Sequence, residues 1–138
     1  MRRFETIEHT ADVGIVAYGS SLAEVFEACA LGMMSLILDP HAVEGRQEVP
    51  ISAEAGDAKA LLVAWLSEVL FLVEAEGWAF GDFRVGEIAH SLVRGRGVGE
   101  PLDARKHGLH GEVKAATYHM LELAEEDGLW KARVIFDV

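Results

Sequence analysis

Two aspartates near opposite ends of the chain have the residue type and setting for chemistry: Asp12, in His9-Thr10-Ala11-Asp12-Val13-Gly14, and Asp137, in Phe136-Asp137-Val138. Asp137 closes the apolar run Trp130–Phe136, a pattern that predicts a final strand pinned into a sheet rather than a loose end. A charge there wastes stability if it faces the core unpaired. The Asp137 carboxylate and that of the last residue also repel unless a cation or donor faces them. If the two ends of the chain meet, Asp12, Asp137 and the Val138 carboxylate make an oxygen-only site, suited to Ca²⁺ or Mg²⁺ rather than Zn²⁺. His9 is then a neighbouring acid–base or orienting group. A plain turn, with Asp12 capping local amides, accounts for the same motif. Convergence requires the last strand to lie centrally in the sheet, beside the first.

Other polar clusters are weaker. Lys106-His107 and His110 offer a cation and two imidazoles without a pattern that assigns them a role. Lys114, Thr117 and His119 read as the polar face of a strand whose other face carries Ala116, Tyr118 and Met120; a shallow site and an ordinary solvated face fit equally. No His-Glu-x-x-His zinc motif and no Gly-x-Ser-x-Gly nucleophile elbow occurs. Gly95, Gly97 and Gly99 lack the Lys-Ser or Lys-Thr of a phosphate loop and read as hairpin ends. The aromatic residues Trp65, Trp78, Trp130, Phe71, Phe80 and Phe83 read as core or rim, not as a stacking platform for single-stranded nucleic acid.

The elements that must position these residues follow from periodicity. Phe4–Glu8 and Val13–Gly19 alternate as strands, and Ser21 with Glu24 forms a capping box for a helix over 22–36 that Asp39-Pro40 ends. Glu48–Ser52 is an edge strand, since Pro50 has no amide to donate. Asp57 caps a second helix over 58–74, apolar along nearly a whole side and closed by Gly77. Strands follow over 79–88 and 90–96, then a loop through 105–111. A long strand over 112–123 is turned by Asp127-Gly128 into the last strand, 129–138. The sum is an α+β domain spanning 1–138, with a mixed or antiparallel sheet of about six or seven strands packed with two main helices.

Composition bounds the partners. The chain has 138 residues, 51% hydrophobic content and a formal charge of −11, which disfavours direct binding to a phosphate backbone. The single Cys29 excludes an intramolecular disulfide and reads as a small buried hydrophobe. With no signal-peptide pattern and no bilayer-length apolar run, the expected setting is the cytoplasm, with no membrane partner.

Taken together, His9–Gly14, Ala17-Tyr18-Gly19 with the Ser21–Gly32 helix, Leu66-Ser67-Glu68 with Leu70-Phe71, Lys114-Ala115-Ala116-Thr117-Tyr118-His119 and Arg133–Val138 resemble the archease family over essentially the whole chain. The resemblance implies a small α/β helper protein, itself no enzyme, that serves the RtcB-type RNA ligase. That ligase joins 2′,3′-cyclic phosphate or 3′-phosphate ends to 5′-hydroxyl ends in tRNA splicing and RNA repair. The helper promotes guanylylation of the ligase histidine and repeated turnover through a metal-binding acidic site, with calcium or magnesium as the cation. Carried over to this sequence, the metal ligands are Asp12, Asp137 and Val138, supported by His9, Lys114 and His119. The competing expectations are an independent metal-dependent phosphoester hydrolase, a purely structural adaptor, and a chaperone-like modulator of tRNA methylation.

Overall fold

The computed structural model describes residues 2–9 and 12–138; the His9 side chain, Thr10 and Ala11 lie outside the described residues, and with them the role expected for His9. Among the described residues the chain forms strands β1 (Arg3–His9) and β2 (Asp12–Gly19), helix α1 (Leu22–Ser35), strand β3 (Gln47–Glu54) and helix α2 (Ala58–Glu76). Five further strands do not alternate with helices: β4 (Trp78–Ile88) and β5 (Leu92–Pro101) form a hairpin, followed by β6 (Ala115–Ala116), β7 (Glu122–Glu126) and β8 (Leu129–Asp137). This is the expected α+β architecture with two main helices. Its strands are divided between a larger sheet ordered β1-β2-β8-β6, with β7 also on β8, and a smaller one ordered β3-β5-β4. Every pairing is antiparallel.

Local chemistry sets the helix ends. Ser21 Oγ accepts the Glu24 amide at 3.1 Å, but the Glu24 carboxylate reaches one residue further back than a capping box requires, to the Ser20 amide and hydroxyl. Asp57 Oδ1 accepts the Ala60 amide at 2.8 Å, and Gly77, at φ 71°, closes α2 in the left-handed conformation that glycine adopts without a Cβ penalty.

The core lies between the two sheets and the helices. Inward residues of β2 and β8, Ile15, Ala17, Ala132, Val134 and Phe136, are buried with Val25, Phe26, Cys29 and Met33 of α1 and the apolar side of α2. Trp65 ties these layers together. Its ring centroid lies 6.5 Å from Phe26 and 6.4 Å from Phe83, and its indole N–H donates to the Phe26 carbonyl at 3.1 Å. Burial pushes the Cys29 thiol pKa up, so it acts as a hydrophobe. Phe71, by contrast, is 56% exposed and belongs neither to core nor to rim. No helix among the described residues is long and apolar enough to cross a membrane.

Two expectations fail for identifiable reasons. Of the strand expected over 112–123, only Ala115–Ala116 and the first two residues of β7 (Glu122–Glu126) are extended, because both segments pair with the same edge of β8 and the chain must loop out between them. Lys114 is also an odd number of residues from Thr117, so strand alternation cannot place it on the face of Thr117 and His119. Gly95, Gly97 and Gly99 sit inside β5, not at hairpin ends. A Cβ at Gly97 would lie 2.6 Å from the Phe80 ring, and one at Gly99 would collide with the Ala79 carbonyl oxygen across the strand pair.

Candidate functional site: the acidic end of the larger sheet

The site is assembled by register. The β1–β2 pairing ends at His9↔Asp12, and the β2–β8 pairing runs from Gly19↔Trp130 to Val13↔Phe136. Its continuation by one residue brings Asp12 opposite Asp137. On the other side of β8, Ala115 pairs with Asp137, and the Lys114 amide donates to the Asp137 carbonyl at 2.7 Å. The end of β8 is therefore held on both sides, as the apolar run predicts. Its neighbour is β2, not β1, so the two ends meet through the second strand.

Facing residues of an antiparallel pair share a face, with Cβ atoms roughly 4.5–5.5 Å apart. Because Phe136 and Val134 point into the core, Asp137 and Asp12 project from the opposite, outer face. Asp137 is exposed and Asp12 partly so. Among the described residues neither carboxylate makes a hydrogen bond or an ion pair. Two like charges on neighbouring strands with no partner destabilise the free chain, and a donor or cation brought by another molecule would relieve that cost.

The arrangement does not make the expected metal centre. Among the described residues no group of three or more His, Cys, Asp or Glu side chains is placed to hold a metal ion. The expectation of a Ca²⁺ or Mg²⁺ cofactor in an oxygen-lined site is thereby corrected. The physical reason lies in the strand. β8 ends at Asp137 and supplies a single acidic side chain there, as β2 does with Asp12, so the strand ends bring two ligating side chains and no third. Val138 lines a hollow of about 460 Å³ shared with Glu8, Glu112 and His110. What remains on the outer face is a facing pair of carboxylates, short of the six or more oxygens that a hard cation takes. Lys114 and His119 are exposed beside this end, and the His119 amide donates to Thr117 Oγ1 at 3.3 Å.

A second polar cluster, for which the sequence offers no pattern, positions the loop that leads into β6. Glu100 is 5% exposed and His107 fully buried. The Asp103 amide donates to His107 Nδ1 at 2.9 Å; a backbone N–H can only donate, so the ring proton is on Nε2, which donates to Glu100 Oε2 at 2.8 Å. Glu100 also accepts the Glu44 amide and Lys106 Nζ, each at 2.9 Å. The Glu44 amide, His107 and Lys106 together hold the Glu100 pKa down at about 2. The His107 carbonyl accepts the Asp39 amide at 2.8 Å, and the Ile37 carbonyl accepts the amides of His110 and Gly111. His110 completes the clamp: its ring nitrogens face the Gly108 and Ser35 carbonyls at 2.9 and 3.1 Å, the latter at the C-terminal end of α1. His107 and His110 thus have structural work, tying 103–111 to the end of α1.

Comparison with known proteins agrees along the chain. The model of the Archease protein family matches residues 4–138. The Protein archease of Pyrococcus furiosus is 40% identical over 142 residues, with all of both chains covered. That of Thermococcus gammatolerans is 43% identical over 143 residues, again with full coverage of both. Among solved structures, Methanobacterium thermoautotrophicum protein 1598 superposes with a TM-score of 0.77 at 39% identity, covering 98% of each chain. An archease from Thermotoga maritima, described as a possible chaperone, superposes with a TM-score of 0.62 at 22% identity over 97% of this chain and 96% of that one, and bears on the fold alone.

Proposed function

The chain belongs to the archease family, and from that premise we propose that it is a non-catalytic activator of an RtcB-type RNA ligase, raising the rate at which the ligase histidine is guanylylated and supporting repeated turnover. The family match over residues 4–138 supports the reading most. The facing, unpartnered pair Asp12 and Asp137 supplies a physical means. Guanylylation brings a triphosphate and an imidazole nucleophile together, and its barrier is set by positioning and charge compensation. Asp12 and Asp137, with Val138, Lys114 and His119 at the same end of the sheet, meet the ligase there. The two carboxylates accept hydrogen bonds from its Lys, Arg or imidazole groups and hold them in the reactive arrangement. The covalent chemistry stays with the ligase.

The −11 charge fits a partner whose nucleotide and RNA channel is positive, since opposite potentials speed encounter. The test is transfer of labelled GMP from GTP to the ligase, with and without this chain. Acceleration at substoichiometric amounts of the chain supports the reading. An unchanged rate, or phosphoester turnover by the chain alone, refutes it.

A further inference from the structure

Among the described residues, Tyr118 and Met120 are 64% and 51% exposed and lie two residues apart in the loop joining β6 to β7. Single apolar side chains at a surface are ordinary. This loop differs because it is built to hold them there. The Thr117 amide and hydroxyl both donate to the Ile135 carbonyl, at 3.0 and 2.8 Å. The Leu121 amide donates to the Tyr118 carbonyl at 3.2 Å, and Arg133 Nε donates to the Met120 carbonyl at 3.1 Å. Arg133 is itself fixed by an ion pair with Glu122 at 3.0 Å. Met120 adopts φ 53°, a left-handed conformation that side-chain-bearing residues avoid. Leu121 packs against the core from the same loop. The two outward side chains therefore stand on an ordered backbone, and little freedom remains to be lost when they are covered.

We propose that Tyr118 and Met120 are the anchors with which this chain docks on its ligase partner, entering an apolar pocket rimmed by Lys and Arg. The inference rests on the function proposed above and names its contact residues. Tyrosine and methionine are enriched at interfaces, where a few such anchors carry most of the affinity. Charge selects the rim. Asp137, exposed and without an ion pair among the described residues, faces Ala115, three residues before Tyr118. Of the basic groups nearby, Arg133 is neutralised by Glu122, which leaves Lys114 and His119 against the −11 of the whole chain. A nucleobase stacked on Tyr118, or a second copy of the chain, is a different occupant that the same experiment separates.

The experiment is calorimetric titration of the ligase with the wild-type chain, Tyr118→Ala, Met120→Gly and the double variant, alongside thermal unfolding of each. Glycine accepts the Met120 backbone conformation, so the double variant keeps its melting temperature. Its affinity for the ligase falls about 30-fold or more, and excess protein restores guanylylation, because docking and not positioning is damaged. Equal affinity of wild type and double variant overturns the anchors while leaving the activator role intact. Unchanged ligase affinity with loss of self-association in sedimentation, or with loss of binding to a labelled single-stranded oligoribonucleotide, overturns them in favour of those occupants. A wild-type chain that neither binds nor stimulates the ligase overturns both proposals.

Discussion

Replacing Glu100 by glutamine is a direct probe of the buried cluster that holds the loop into β6. Glu100 is 5% exposed and accepts hydrogen bonds from the Glu44 amide, His107 Nε2 and Lys106 Nζ. These hold its pKa at about 2, against 4.5 for an ordinary carboxylate. The folded protein therefore favours the ionised form of Glu100 more than the unfolded chain does, so its charge stabilises the fold at neutral pH. Folding lowers the pKa, so the contribution is complete above the unfolded value, above about pH 5, and is lost as pH falls toward the folded value of about 2. Glu100→Gln keeps the shape and removes the charge. Near neutral pH it is expected to cost about 3 kcal/mol, or roughly 10 °C in melting temperature for a chain of this size. Urea unfolding of both proteins should show the gap between them shrinking as pH falls from 7 to 3. Comparing the two proteins at each pH cancels the other carboxylates, whose titration they share. A gap of the same size near pH 7 and near pH 3 refutes the reasoning, because it means that Glu100 is not a carboxylate held ionised by its neighbours.

Other perturbations test the remaining parts of the account. Gly99→Ala places a Cβ against the Ala79 carbonyl oxygen; it should destabilise by about 3 kcal/mol in thermal unfolding, more than Gly56→Ala, where a Cβ meets open space. Asp57→Ala removes the acceptor of the Ala60 amide and should cost about 1 kcal/mol by urea unfolding. Trp65→Phe removes the donor to the Phe26 carbonyl and part of a fully buried ring, with an expected loss of about 2 kcal/mol. Asp12→Asn and Asp137→Asn, which relieve repulsion between unpartnered charges, should leave the melting temperature unchanged or slightly raised.

What the sequence made legible is what local chemistry determines. The ends of α1 and α2 follow from Ser21, Asp57 and Gly77, whose roles involve residues within five positions. The Asp127-Gly128 turn carries positive φ at both residues, 52° and 80°, as a tight hairpin with right-handed strand twist requires. Pro50 correctly marked β3 as an edge strand. Asp12 and Asp137 were legible as candidates through their motifs, and each stands at the end of its strand, one residue beyond the last β2–β8 pair, Val13↔Phe136. Their use as metal ligands was not, because ligation depends on side-chain direction and on a third group that sequence order does not supply. The Glu100–His107 contact was hidden for a related reason: it joins a strand end to a loop without periodicity, and Glu44, from a distant segment, completes it. The 112–123 segment misled because alternation describes which way side chains point, whereas a strand exists only where a neighbour accepts its amides.

The central claim is that the two carboxylates facing each other at the end of β2 and β8 carry the effect on the ligase. The most direct measurement is the rate of ligase guanylylation at saturating concentrations of wild-type chain and of the Asp12→Asn/Asp137→Asn double variant, with ligase binding measured in parallel. The account predicts that the double variant stays folded and bound yet gives no acceleration over ligase alone. A double variant that accelerates guanylylation as well as the wild type contradicts it.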